Sequence, residues 1–169
     1  MYNIGDLVIY STHGICRIDD ICKKTYSGIT RTYYVLHPIE DHSLTINTPV
    51  DNKNLGIMQG IINRNEAEEI LQSFKLPGIS WIEKSHDRNK IYTDIIKTGT
   101  SKEISKVINT LMRKKAEDES NGKKLAESDK QILILTQNIL FKELSIALNT
   151  TFEAIAQEVH KILNIKFNS

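Results

Sequence analysis

Along this chain the spacing of apolar residues changes once, near residue 62, and no other feature restricts the fold as strongly. Before that point apolar residues come in short runs rich in β-formers and separated by turn residues. LVIY (7–10) precedes STHG (11–14), a turn pattern ending on glycine. ICRIDDICKKTY (15–26) has strand character, with Asp19 and Asp20 marking a bulge or bend. YSGIT (26–30) signals a hairpin, because Gly28 supplies the positive φ that a tight turn needs. RTYYVLHPI (31–39) and LTINTPV (44–50) complete the set. Four or five short strands joined by tight turns within about 50 residues predict a small barrel or a strongly bent sheet.

After residue 62 the period becomes helical. Asn65 with Glu68 has the spacing of a capping box ahead of Ala67, Ile70, Leu71 and Phe74, and Pro77-Gly78 marks the end of that element. Ser80 with Glu83 repeats the pattern and predicts Trp81 in the first turn of a second helix, which KTG (97–99) closes. Thr100 with Glu103 opens a third, whose Ile104, Val107, Ile108, Leu111 and Met112 fall on one face. Ser128 with Gln131, and Thr150 with Glu153, are read as the caps of the last two. The expected class is α+β: a small β-barrel or strongly bent sheet over residues 1–62, which the family resemblance given below makes Tudor/SH3-like, then an all-α bundle of about five helices over 63–169.

Charge follows the same division. The net charge is only +1, so nucleic-acid binding would have to rest on a local surplus. Residues 1–62 carry five Lys/Arg against six Asp/Glu, whereas Lys84 to Lys115 hold nine Lys/Arg against three Asp/Glu. Within that segment Lys102, Lys106 and Arg113 fall near one helical face, with Lys84, Arg88, Lys90, Lys97, Lys114 and Lys115 around them. Such a stripe can track a phosphate backbone and release counterions; the plainer alternative is a solvated helix face. AEDES (116–120) ends the positive stretch.

Trp81 is the only tryptophan in the chain, and eight polar or charged residues, Glu83 to Lys90, follow it closely. As a helical residue it would share its face with Lys84, Ser85 and Arg88, which offer no apolar company. It either docks into the core through other elements or stands as an exposed wedge, as apolar side chains do at distorted base steps.

Other chemistry is poorly supported. Cys16 and Cys22 have five residues between them and lack the spacing of a zinc site, so they read as buried free thiols. The five histidines are scattered, and nothing assembles a nucleophile, base and oxyanion donor, so the chain is not expected to be an enzyme or to need a cofactor or small-molecule substrate. The amino-terminal segment lacks the basic and long apolar regions of a signal peptide, and no apolar run is long enough for a membrane span. The expectation is a soluble, cytoplasmic protein, monomeric and without membrane partners.

IGDLVIYSTHG (4–14) resembles the opening of the CarD/CdnL family of bacterial transcription regulators, GD-x-V-x-Y-P-x-H-G, matching at Gly5, Asp6, Val8, Tyr10, His13 and Gly14. Ser11 stands where the family usually has proline. The similarity continues collinearly through YYVL (33–36), LTINTPVDN (44–52), 81–112, GKKLAESDKQIL (122–133) and FKELSIALN (141–149). The resemblance implies an N-terminal Tudor-like barrel, shared with transcription-repair coupling factor, that binds the RNA polymerase β subunit. It implies a C-terminal helical domain on promoter DNA, where a tryptophan wedges into the minor groove at the upstream fork and stabilises the open complex.

By that resemblance Trp81 is the wedge, and Lys24, Asn47, Thr48 and Pro49 form the polymerase contact. Two departures stand out: Glu83-Lys84 replaces a basic pair, and Asn47 replaces the arginine of some members. They suggest a divergent member and keep a rival open, a protein-interaction module on polymerase or a repair factor without direct DNA binding. A KOW-like RNA-binding barrel is a weaker rival, since residues 1–62 have no positive surplus.

Overall fold

The computed structural model describes residues 1–51 and 57–167; Asn52, the last residue of the LTINTPVDN match, lies outside them. The chain divides into two compact units, Met1–Ile61 and Ile62–Ser169.

The first unit is an antiparallel sheet of β1 (Leu7–Tyr10), β2 (Ile15–Tyr26), β3 (Ile29–Pro38), β4 (Ile46–Pro49) and β5 (Met58–Gly60), in the order β4-β3-β2-β1-β5. The expected bulge falls in β2, where the register with β3 shifts between Ile18 and Asp20. The β2–β3 hairpin closes on Ser27 and Gly28 with φ of 50° and 78°, the two positive values of a type I′ turn, so its twist matches that of the strands. Val8, Cys16, Ile18, Tyr34 and Leu36 form the core of this unit. Burial there pushes the Cys16 thiol up to about 11 and keeps it protonated at neutral pH, while Cys22 is only half-buried; both are free.

The second unit holds α1 (Arg64–Ser73), α2 (Ser85–Thr98), α3 (Ser101–Ser120), α4 (Glu127–Ala147) and α5 (Phe152–Leu163). The molecule is therefore α+β, and its described residues form a five-stranded sheet followed by five helices. α4 packs against the other four helices and buries residues along most of its length. Phe74, Tyr92, Ile108, Leu111, Phe141 and Leu144 lie at the centre. No single helix among the described residues is long and apolar enough to cross a membrane.

The helix starts correct several expectations. α1 is capped by Asn63, paired with Glu66 in a full capping box, and not by Asn65 with Glu68; Glu68 instead faces Arg64 at 3.7 Å. α4 begins after Ala126 with no side-chain cap, and α5 is capped by Thr151 in place of Thr150. The Thr100–Glu103 box opens α3 as the spacing predicts, and Gly99 follows the end of α2. Trp81 is not in α2 at all, because that helix begins four residues later, at Ser85.

Candidate nucleic-acid interface

Trp81 sits in the non-helical segment 74–84 between α1 and α2, and side chains of α2 and α3 hold its backbone. From α3, Arg113 Nη2 donates to Phe74 O (2.9 Å), Asn109 Nδ2 to Leu76 O (2.8 Å) and Thr110 Oγ1 to Ile79 O (2.5 Å). The Ile79 amide donates to Lys106 O (3.3 Å). The segment runs so close to α3 that a Cβ at Gly78 would collide with the Lys106 carbonyl and the Thr110 hydroxyl. From α2, Tyr92 Oη donates to Ser80 O (3.2 Å), and Arg88 Nη1 donates to Ile82 O (2.6 Å) and Glu83 O (3.2 Å). The carbonyls of Ile79, Ser80, Ile82 and Glu83, which could have taken part in a helix, are thus taken by side chains. This is why the Ser80–Glu83 box pattern does not nucleate one.

Arg88 is the hinge of the arrangement, and it corrects the expectation that it would meet phosphate. It is buried, and its guanidinium is forked onto Asp129 of α4: Nε to Oδ1 at 2.9 Å and Nη2 to Oδ2 at 2.7 Å. Both side chains are almost fully enclosed, with 5% and 2% of their surface accessible. The bond to Asp129 raises the arginine's pKa further, so the guanidinium keeps its charge. Removing one partner of such a pair costs about 3–5 kcal/mol, since it strands a buried charge.

The same guanidinium lies over the Trp81 ring, 4.1 Å from its centroid, and Lys114 Nζ approaches it to 5.3 Å. The indole is half-buried and packs at the margin of the helical core, so it is neither a fully docked core residue nor a free one. Its company is cationic, which is favourable for an electron-rich face.

The remaining basic residues divide into two groups. Lys114 is paired with Asp118 (3.2 Å) and Glu117 (3.9 Å), and Asp118 raises its pKa; Lys115 faces Glu119 at 3.8 Å. The exposed Arg113 spends its guanidinium on Asn109 and on carbonyls of the Trp81 segment. Lys84, Lys90, Lys97, Lys102 and Lys106 are exposed, and among the described residues none has an acidic partner within 4 Å. In the sheet unit Lys24 Nζ donates to Asn47 Oδ1 (2.7 Å), so two of the expected polymerase-facing residues meet each other. Of the other two residues named for that contact, Thr48 is buried and Pro49 half-buried.

Asp129 is the residue that sequence reasoning missed, although a signal was present. Arg88, Tyr92 and Ile96 are spaced i, i+4, i+8, and Asp129, Ile132, Leu133 and Thr136 are spaced i, i+3, i+4, i+7; all are buried. A cation in one buried stripe and an anion in another point to a buried pair between them.

Residues 2–62 match the CarD-like/TRCF RID domain, and residues 69–160 match the CarD C-terminal domain. An α+β chain carrying these two domains in this order belongs to the CarD family, and its role lies in transcription. It is 28% identical, over 92% of this chain and 97% of the relative, to a Bacillus subtilis (strain 168) protein named "Putative transcription factor YdeB".

Proposed function

We propose that the chain is a transcription regulator that holds the RNA polymerase β subunit through residues 1–62 and promoter DNA through residues 63–169. Trp81 acts as a wedge at the upstream fork, and exposed Lys84, Lys90, Lys97, Lys102 and Lys106 supply phosphate contacts. The observation that carries this reading is the Trp81 segment, a non-helical backbone pinned at the carbonyls named above with a half-buried indole within it. An indole supported in this way can meet an unstacked base without first being ordered, and little entropy is then lost on binding. Because the fork exists only in the melted promoter, its contacts bias closed complexes towards open ones.

The test is a gel shift on forked promoter DNA, with and without polymerase. Trp81→Ala should leave the fold in place, at a stability cost of roughly 1–2 kcal/mol for a partly buried ring, and should shorten the lifetime of the open complex. Equal open-complex lifetimes would sink the wedge. Binding to polymerase with none to forked DNA would instead support the protein-interaction reading, in which the helical unit meets a second protein.

A further inference from the structure

We propose that the buried Arg88–Asp129 pair is a positioning device for Trp81. In this arrangement Asp129 sets the plane of the Arg88 guanidinium, and that plane sets the indole. The inference rests on the reading of Trp81 as the side chain that meets the fork, and it names the residues that prepare it.

Every nitrogen of the guanidinium is committed. Nε and Nη2 are forked onto the two Asp129 oxygens, and Nη1 reaches Ile82 O and Glu83 O. A planar group fixed along two edges cannot rotate, so its central carbon, 4.1 Å over the ring centroid, is a rigid floor for the indole. The two carbonyls it clamps belong to residues directly after Trp81, so one side chain restrains both the ring and the backbone that carries it. Asp129 lies 41 residues further along the chain on α4, the central helix of the unit, which ties the floor to the rigid core.

The energetics argue for a role besides stability. An apolar pair of the same volume in this place would match or exceed the stability of the ion pair. What apolar side chains cannot supply is a flat cation with fixed orientation against an aromatic face. The charge of Arg88 is cancelled by Asp129, so this arginine adds no counterion release when the protein meets DNA. A positioning arginine and a phosphate-binding arginine therefore differ in salt dependence.

The full-length protein with Arg88→Met and Asp129→Leu together removes both charges and keeps the volume apolar; Arg88→Lys keeps a cation opposite Asp129 but loses the planar fork that fixes it. Trp81 is the only tryptophan, so emission and acrylamide quenching report its surroundings directly. In both variants quenching should rise while the circular dichroism of the helices is retained. Affinity for a forked promoter duplex should fall about fivefold, towards that of Trp81→Ala, with an unchanged slope of log affinity against log salt. If the double variant fails to fold, Arg88→Lys gives the same readouts. Quenching that matches the parent protein overturns the proposal, as does a salt slope shallower by about one, which would make Arg88 a phosphate ligand. If Trp81→Ala itself binds the fork like the parent, the fork reading fails, and quenching in the free protein alone decides whether the pair positions the ring.

Discussion

At the scale of single residues, Glu143 is a buried carboxyl with a defined set of partners. It is fully enclosed on α4, its Oε1 accepting from Ser101 Oγ (2.5 Å) and its Oε2 from the Ile62 amide (3.4 Å). Burial pushes its pKa from 4.5 up to about 7, with Glu66 adding to the rise, while the bonds from Ser101 and Ile62 oppose it. Between those two values the folded protein keeps a proton that the unfolded chain has released. Stability is therefore greatest below about pH 4.5 for this group, and falls as pH rises to about 7, by roughly 3 kcal/mol in total. Glu143→Gln should flatten that slope, as seen in urea midpoints measured from pH 5 to 8; a parent protein with no slope in this window would contradict the assignment. Ser11 illustrates a departure explained by geometry. Its φ is 46° and its amide donates to Ile57 O (2.7 Å), neither of which a proline could provide, because the ring fixes φ near −65° and removes the donor.

At the scale of elements, α3 has two opposed tasks. One face buries Ile104, Val107, Ile108 and Leu111, and Asn109, Thr110 and Arg113 reach back to secure the Trp81 segment. Lys102 and Lys106 stay exposed with no ion pair within 4 Å among the described residues, whereas Lys114 and Lys115 are drawn to Asp118 and Glu119 by i,i+4 pairing. If the two free lysines meet phosphates, Lys102→Glu with Lys106→Glu should weaken binding to all promoter sequences alike. It should also reduce the salt slope by about two. Fluorescence anisotropy over a salt series measures this, and an unchanged slope would mean that the face is only solvated. The β2–β3 hairpin and the α3 cap were legible in the sequence because their signals are local: Ser27-Gly28 can take two positive φ values, and Thr100 with Glu103 closes its own bonds. The start of α2 was not legible, because the competing partners, Tyr92, Arg88 and Thr110, come from other turns and another helix.

At the scale of the whole molecule, two units with separate cores carry different charge, the first without a surplus and the second with a cluster around α2 and α3. A division of tasks on that basis predicts that residues 1–61 expressed alone capture RNA polymerase, while residues 62–169 alone do not and retain affinity for forked DNA. Capture by the helical unit alone would reverse the assignment. The sequence by itself determined the α+β class, the change of period near residue 62, the bulge at Asp19 and the family, since all of these depend on local pattern or collinear identity. Only the tertiary structure decided what surrounds Trp81. The nearer of its two cations, Arg88, sits in a polar run that suggests exposure, yet it is buried because Asp129, on a helix far along the chain, neutralises it. A buried charge is stable only with a matched partner, and which residue provides the match is settled by helix packing and not by neighbours in sequence.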